Sequence, residues 1–451
     1  MRETANKMCG KTLVSVAMAT NPYIERLTDR LLTELLSGLP AVLVAGPRAT
    51  GKTTTARRHT ATNLRLDRDV EASAVAADPD VVLAGLAEPV LLDEWQAVPE
   101  VLGAVKRAVD DDPRPGRFVL TGSASSDVLA DGWPATGRIV RITQWGLSCR
   151  ELYGDVGAQS ILDVVFGGGV ADLIVPNPAP DLRVYVNHAL AGGFPQAVLQ
   201  PSEMLRRRWL GGYVDQLLPR DARLIGESRD PRRLRRYLQA LATNSAGLVE
   251  TKVLYDAAGI SRPTALSYDA LLELLMVTEQ IPAFSDNRMK RLTRASKRFL
   301  VDPSMFVPLL GVNERSALRD GNVLGRLIET FVLAQLRPER EVSEIGPTFF
   351  HLREESGRRE IDLIAEAPDG RLIGIEVKAT AAPGRGDAKH LIWLRDQMGD
   401  RFVAGIVFHT GPRPFRIDAE IYALPISVLW GTSEPSRGQH DDLVPSKAMR
   451  E

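Results

Sequence analysis

The stretch Gly46-Pro47-Arg48-Ala49-Thr50-Gly51-Lys52-Thr53, set directly after the apolar run Ala41 to Ala45, constrains this chain more than any other feature. A bound phosphate needs several backbone N–H groups converging on it. Gly46 and Gly51 permit the tight loop that aims them, Lys52 reaches the outer phosphate oxygens, and the Thr53 hydroxyl can meet magnesium. Gly46, Pro47, Arg48, Ala49, Thr50, Gly51, Lys52, Thr53 and Thr54 are therefore the expected nucleotide-binding residues. Such a loop works between a buried strand and a helix, so the first part of the chain should be α/β with a parallel sheet.

A phosphate cradle becomes a hydrolytic site when a neighbouring strand ends in carboxylates. Leu91-Leu92-Asp93-Glu94 supplies them: Asp93, with Thr53, for magnesium and its water shell, and Glu94 to polarise the attacking water. Phe118 to Leu120 leads into Thr121-Gly122-Ser123, a polar sensor beside the γ-phosphate or a plain turn. Arg138 and Arg141 either stabilise a transition state, in cis or from a neighbouring subunit, or are surface arginines. ATP and Mg2+ are the expected cofactors.

At 451 residues the chain is too long for one ordinary core. We expect a disordered N-terminus (1–20), an ATPase domain (21–155), a lid or helical linker (156–223), a winged-helix-like domain (224–310), an α/β end (311–432) and a disordered tail (433–451). Cys9 and Cys149 leave no disulfide framework or thiolate metal site, which fits a reducing cytoplasm. Leu13 to Ala19 imitates a short secretory signal, but a ragged N-terminus suits the downstream nucleotide site better. No run approaches the ~20 apolar residues of a membrane span.

These residues carry a family resemblance. Gly46-Pro47-Arg48 with Gly51-Lys52-Thr53-Thr54, Leu92-Asp93-Glu94-Trp95-Gln96-Ala97-Val98-Pro99, Leu120-Thr121-Gly122-Ser123 and Gly137-Arg138 resemble a large prokaryotic family of AAA-type P-loop ATPases. Members usually carry a C-terminal region of unknown function. The likeness continues through Ala191-Gly192-Gly193-Phe194-Pro195 and Phe299-Leu300-Val301-Asp302 past Glu376-Val377-Lys378, covering about residues 20 to 430. It implies a winged helix in the middle.

The C-terminal acids also form a pattern. Asp362, then Glu376-Val377-Lys378, has the spacing of a restriction-endonuclease-like core of the PD-(D/E)xK type, in which two carboxylates grip a divalent metal and a lysine orients or deprotonates water. Strand alternation puts Glu376 and Lys378 on one face. A three-residue loop Pro368-Asp369-Gly370 with Gly370 left-handed sets Asp362 opposite Glu376; a two-residue turn points the carboxylates apart. Glu329, on the preceding helix, is a further metal ligand or a surface glutamate. Catalytic candidates are thus Glu94, Asp362, Glu376 and Lys378; metal candidates are Thr53, Asp93, Glu329, Asp362 and Glu376. The bland alternative is a charged surface hairpin, which the apolar flanks Ile361 to Ile364 and Leu372 to Val377 oppose.

In the middle, Val249 to Leu275 has helix-turn-helix spacing around Gly259, and the second helix offers Arg262, Thr264, Ser267 and Tyr268. Whether it reads DNA or only spaces the flanking domains stays open. Net charge is −1, yet residues 201–300 hold 18 basic and 11 acidic side chains, an excess of seven. Arg206-Arg207-Arg208, Arg232, Arg233, Arg235, Arg236, Arg288, Lys290, Arg291, Arg294, Lys297 and Arg298 form the footprint of a phosphate backbone, or simply solvated helix faces. The expected function is an ATPase whose nucleotide state regulates a metal-dependent nuclease-like end acting on DNA or RNA, with a homo-oligomer as its assembly and defence or stress as its setting. The alternatives are an ATP-dependent scaffold switch with a non-cleaving binding domain, or a winged-helix DNA-binding regulator.

Overall fold

The computed structural model describes residues 23–122, 136–221, 230–287, 289, 291, 294–354 and 358–431. Ser123, Cys9, Arg288, Lys290 and both chain ends read as disordered lie outside the described residues.

The first layer begins with α1 (Leu27–Gly38), which buries Leu27, Leu32 and Leu36. Then come β1 (Ala41–Ala45), α2 (Lys52–Ala56), β2 (Thr62–Arg65), β3 (Val90–Asp93), α3 (Val101–Asp111), β4 (Phe118–Thr121) and β5 (Ile139–Thr143). All five strands are parallel, in the order β2-β3-β4-β1-β5. Helices cover both faces: Leu43 and Leu92 pack with Val101 and Val105 of α3, while Val42, Val44 and Val119 pack with Leu32 of α1. A strand buried on both faces reads as an unbroken apolar run, which is why β1, β3 and β4 are visible in the sequence. The edge strands β2 and β5 are partly exposed and lack that run. Because β1 lies between β4 and β5, the sheet switches direction of winding beside it, and the loop after β1 opens on that crevice.

Residues 149–173 form short helices whose Ile161, Leu162, Val165 and Phe166 join a single large core with Leu333, Ile373, Ile375, Ala404 and Ile406. Glycine and aspartate content hides this from a periodicity reading, because the apolar residues come in two brief bursts.

The middle of the chain is helical. It includes α4 (Thr251–Ala258) and α5 (Arg262–Leu274), joined through Gly259 at φ +63°, with the Ser261 hydroxyl accepting from Thr264 N–H. An antiparallel hairpin follows, β6 (Thr278–Ile281) and β7 (Lys297–Leu300). Its long connection does not stand free. Phe284 N–H donates to the His351 carbonyl (2.6 Å), His351 N–H donates to Pro282 (2.9 Å), and Phe284 enters the core with Phe350 and Ile361.

The last unit opens with the 21-residue helix α6 (Gly321–Glu341). A six-stranded mixed sheet follows, built from β8 (Thr348–Arg353), β9 (Glu360–Glu366), β10 (Leu372–Lys378), β11 (Phe402–His409), β12 (Phe415–Asp418) and β13 (Ile421–Pro425), in the order β12-β13-β11-β10-β9-β8. α7 (Lys389–Met398) covers the face opposite α6. Gly374 is required there, since a Cβ would sit 2.7 Å from Leu391. No described helix is long and apolar enough to cross a membrane.

Candidate functional site

The loop after β1 is held in conformations that few residues adopt: Gly46 at φ +149°, Ala49 at +62° and Gly51 at +90°. A Cβ at Gly46 would lie 2.2 Å from the Gln144 carbonyl, so only glycine fits. Inside the loop, Lys52 Nζ donates to the carbonyls of Gly46 (3.0 Å) and Pro47 (2.7 Å). Burial brings that ammonium down to about 8, with Arg48 adding to the effect and Glu94 and Asp93 opposing it. An ammonium this starved of water gains much from an anionic partner. Ala49 and Thr54 are exposed, and Thr50 is buried, its hydroxyl donating to Pro47 O (2.9 Å) and Gln144 O (3.2 Å).

At the end of β3, Asp93 Oδ1 accepts from both Thr53 Oγ1 and Thr121 Oγ1, each at 2.6 Å. The register β1-β4-β3 produces this meeting, with Val44 beside Thr121 and Thr121 beside Asp93. Glu94 takes a left-handed backbone (φ +56°), and Gln96 Nε2 donates to its carboxylate. A non-glycine residue held at positive φ costs energy that the surroundings must supply, and such residues gather at functional positions. Gly46 to Thr53, Asp93, Glu94 and Thr121 are thus brought together. Thr53 Oγ1 and Asp93 are the oxygen donors suited to magnesium, and Lys52 with the loop N–H groups suits a polyphosphate.

Arg138 is a correction. It precedes β5, whose Ile139 lies beside Ala41 at the start of β1, whereas the phosphate loop follows the other end of that strand. Five residues of strand separate them, roughly 16 Å. Its guanidinium pairs with Asp110 of α3 (2.8 Å), so a role at its own chain's phosphates is not available to it. Arg141, midway along β5 beside Leu43, is also short of the loop.

The C-terminal acids converge as well. β9 and β10 pair with Leu372 beside Glu366 and Ile375 beside Leu363, and one further step sets Glu376 across from Asp362. The loop is the three-residue kind, with Gly370 at φ +87° and its N–H donating to Ala367 O. Val377 N–H donates to Asp362 Oδ2 (2.9 Å), and Lys378 Nζ donates to Glu376 Oε2 (2.8 Å). Glu329 of α6 reaches the same place through a residue that spacing does not reveal. Lys297, the first residue of β7, is 1% exposed and donates to Glu329 Oε1 and to Asp362 Oδ1 (3.1 Å). Burial pushes Glu329 up to about 8, with Asp362 adding to this and Lys297 opposing it. Burial, then the Asp362 charge, also raises Glu376 well above the carboxylate range. Against its own burial, Asp362 is held low by Lys297, Lys378 and the Val377 N–H. Among the described residues, no three or more His, Cys, Asp or Glu side chains are grouped to hold a metal ion. The expected ligands Glu329, Asp362 and Glu376 are instead held by ammonium groups.

Part of the basic stretch is spent in pairs. Arg291 pairs with Glu366, Arg298 with Asp269, Arg235 with Asp215, and Lys297 with the acids above. Arg207, Arg208, Arg232, Arg233 and Arg236 are exposed. On α5 Tyr268 is buried and Ser267 Oγ donates to Pro263 O, so only Arg262 of the expected base-reading set projects an exposed cation.

Comparison with known proteins divides the chain in three. Residues 39–153 match a family described as an AAA domain, residues 182–316 a domain of unknown function (DUF8612), and residues 324–429 another (DUF4143). Uncharacterized proteins of Mycobacterium bovis (Mb2031c) and Mycobacterium tuberculosis (Rv2008c) are each 28% identical over 419 residues, covering 92% of this chain and 85% of theirs. The Walker-type ATPase PABY2304 of Pyrococcus abyssi aligns with a TM-score of 0.40 and 16% identity over 64% of this chain and 96% of its own. Residues 39–153 thus resemble an AAA-type P-loop ATPase domain, and the match falls on the very strands that position Lys52, Thr53, Asp93 and Glu94.

Proposed function

We propose that this protein is an ATP-hydrolysing switch whose nucleotide state governs the C-terminal Asp362–Glu376–Lys378 site, a latent nuclease-type centre for DNA or RNA. One observation carries the reading: a single helix, α6, touches both sites. At its C-terminal end Glu341 accepts from Thr143 N–H (2.6 Å), and the next residue, Gln144, takes the Thr50 hydroxyl of the phosphate loop on its carbonyl. Three turns earlier the same helix places Glu329 in the carboxylate cluster. Between them the helix is locked to the ATPase side by Arg150 Nη1, donating to both oxygens of Glu339 at 2.9 Å, and by Cys149 N–H donating to Gln335 (2.7 Å).

In the hydrolytic step, Lys52 exchanges its two carbonyl partners for phosphate oxygens, and the amides of the Gly46–Gly51 loop orient the chain of phosphates. Magnesium held by Thr53 and Asp93 would neutralise charge across the phosphate oxygens. Glu94, freed from Gln96, accepts the proton of the attacking water at its carboxylate oxygen. Thr121 and Thr53 keep Asp93 oriented. Movement of Thr50 then reaches α6 through Gln144 and Thr143, and also through Arg26, whose Nη1 donates to Thr50 O and Nη2 to Trp145 O, both at 2.8 Å.

Hydrogen exchange of the full chain with ATP analogue, with ADP and without nucleotide tests the switch. Protection in α6 and β9–β10 should depend on nucleotide; identical exchange there in all three states sinks it. The non-cleaving scaffold reading draws on the ammonium groups bound to the C-terminal acids. It gains if no DNA or RNA is cut under any combination of nucleotide and divalent metal.

A further inference from the structure

We infer that the ammonium of Lys297 fills the cation position of the C-terminal carboxylate site and keeps a divalent metal out of it while the β6–β7 hairpin is docked. The inference rests on the reading of that site given above, and it concerns a residue from outside the last unit.

Lys297 is 1% exposed, and a lysine is buried so fully only where anionic oxygens replace its water. The two that do so come from separate elements, Glu329 on α6 and Asp362 on β9. These are two of the three acids that a metal would need. Two more of the oxygens accept as well, Asp362 Oδ2 from Val377 N–H and Glu376 Oε2 from Lys378. Lys297 thus puts a full positive charge where a dication would have to sit, and its removal leaves Glu329 Oε1 and Asp362 Oδ1 without a cation.

Lys297 arrives from the middle unit, on a hairpin stapled to the last one. Beyond the Phe284 and His351 backbone bonds, Arg291 pairs with Glu366 of β9, Arg401 pairs with Asp286 (3.0 Å), and His351 Nε2 bonds the Ala295 carbonyl (3.0 Å). Undocking the hairpin withdraws the cation. Glu329 and Asp362 would then lose their shared ammonium partner, a state that a divalent metal relieves.

The test is Mn2+ binding to the full-length, nucleotide-free chain, read by the loss of the free-ion signal in electron paramagnetic resonance. Comparison with Asp362→Asn identifies manganese at this site rather than at the phosphate loop. Wild type and Asp362→Asn should bind alike. Lys297→Met should gain one site that Asp362→Asn removes, at least about ten-fold tighter than any Asp362-dependent binding in wild type. Lys297→Arg, which keeps the charge, should gain none. If Lys297→Met fails to fold, Lys297→Gln carries the same expectation. The wild-type comparison with Asp362→Asn needs no Lys297 variant. The inference is overturned by an Asp362-dependent manganese site in wild type, or by a folded Lys297→Met or Lys297→Gln that gains none. Failure of the nuclease reading looks different: manganese-loaded Lys297→Met that cuts neither DNA nor RNA refutes cleavage and leaves the role of Lys297 standing.

Discussion

The two charged sites of this molecule are made in opposite ways. The N-terminal one is built mainly from main chain: a loop held at positive φ at Gly46, Ala49 and Gly51 turns two carbonyls onto Lys52, and a register of three parallel strands brings Thr53, Thr121 and Asp93 together. The C-terminal one is built mainly from side chains. Its five charged groups come from α6, β7, β9 and β10, and bonds among them and from one backbone N–H hold them. A site made of backbone survives the loss of one side chain with its shape intact. A site made of mutually neutralising charges in a buried place does not, because removing one member leaves another unpaired.

The sharpest contrast is kinetic. Glu94→Gln should lower ATP hydrolysis by about 10^2- to 10^4-fold while nucleotide affinity and C-terminal folding stay as they are; unchanged turnover breaks the assignment of Glu94. Next comes the joint between the regions. Arg150→Met leaves Glu339 buried without its partner and should cost about 3–5 kcal/mol, seen as a lower urea midpoint and as loss of any nucleotide effect on α6. If stability falls but nucleotide still alters α6, the route through Thr143, Gln144 and Arg26 suffices without the Arg150–Glu339 pair. Lys52→Ala should then weaken ATP binding roughly 100-fold by calorimetry, the value of a lost charged contact. It should leave the C-terminal unit folded.

The smallest effect separates the regions by acidity. Burial brings His351 down to about 4, with Ala295 O opposing and Lys297 adding to the fall. Its folded value lies below the unfolded one, so the unfolded chain takes the proton first. The stability that a neutral His351 contributes is complete above about pH 6.5 and is lost as pH falls toward about 4. Over about pH 7 to about pH 5 the His351 share of stability should fall by about 2 kcal/mol, while Glu329, raised to about 8, contributes in the opposite sense. A His351→Gln variant should flatten that slope, and an equal slope in wild type and variant would remove His351 as its source.

Legibility follows the same division. The strands β1, β3 and β4 could be read because both faces are buried; β2 and β5 could not, being edges with mixed exposure. The register of β9 and β10 stood open between a three-residue loop and a two-residue turn, and the left-handed Gly370 of the structure decides for the first. Arg138 misled because sequence nearness to a motif says nothing about which end of a parallel strand a residue occupies. The basic residues around 288–298 looked like one surface, whereas Arg291, Lys297 and Arg298 are each drawn to a different acid.

What the sequence determined by itself is local: a phosphate loop whose geometry is set by its own glycines, the strand-end carboxylates, and the two registers between which one hairpin had to choose. Tertiary structure alone decided that Lys297, 65 residues before Asp362, lies between two of the acids, and that α6 spans the distance to the phosphate loop. The physical reason is range. Backbone conformation and alternation act over a few residues, while a buried charge takes whatever counter-charge the packed chain delivers to it, and no spacing in the sequence records that choice.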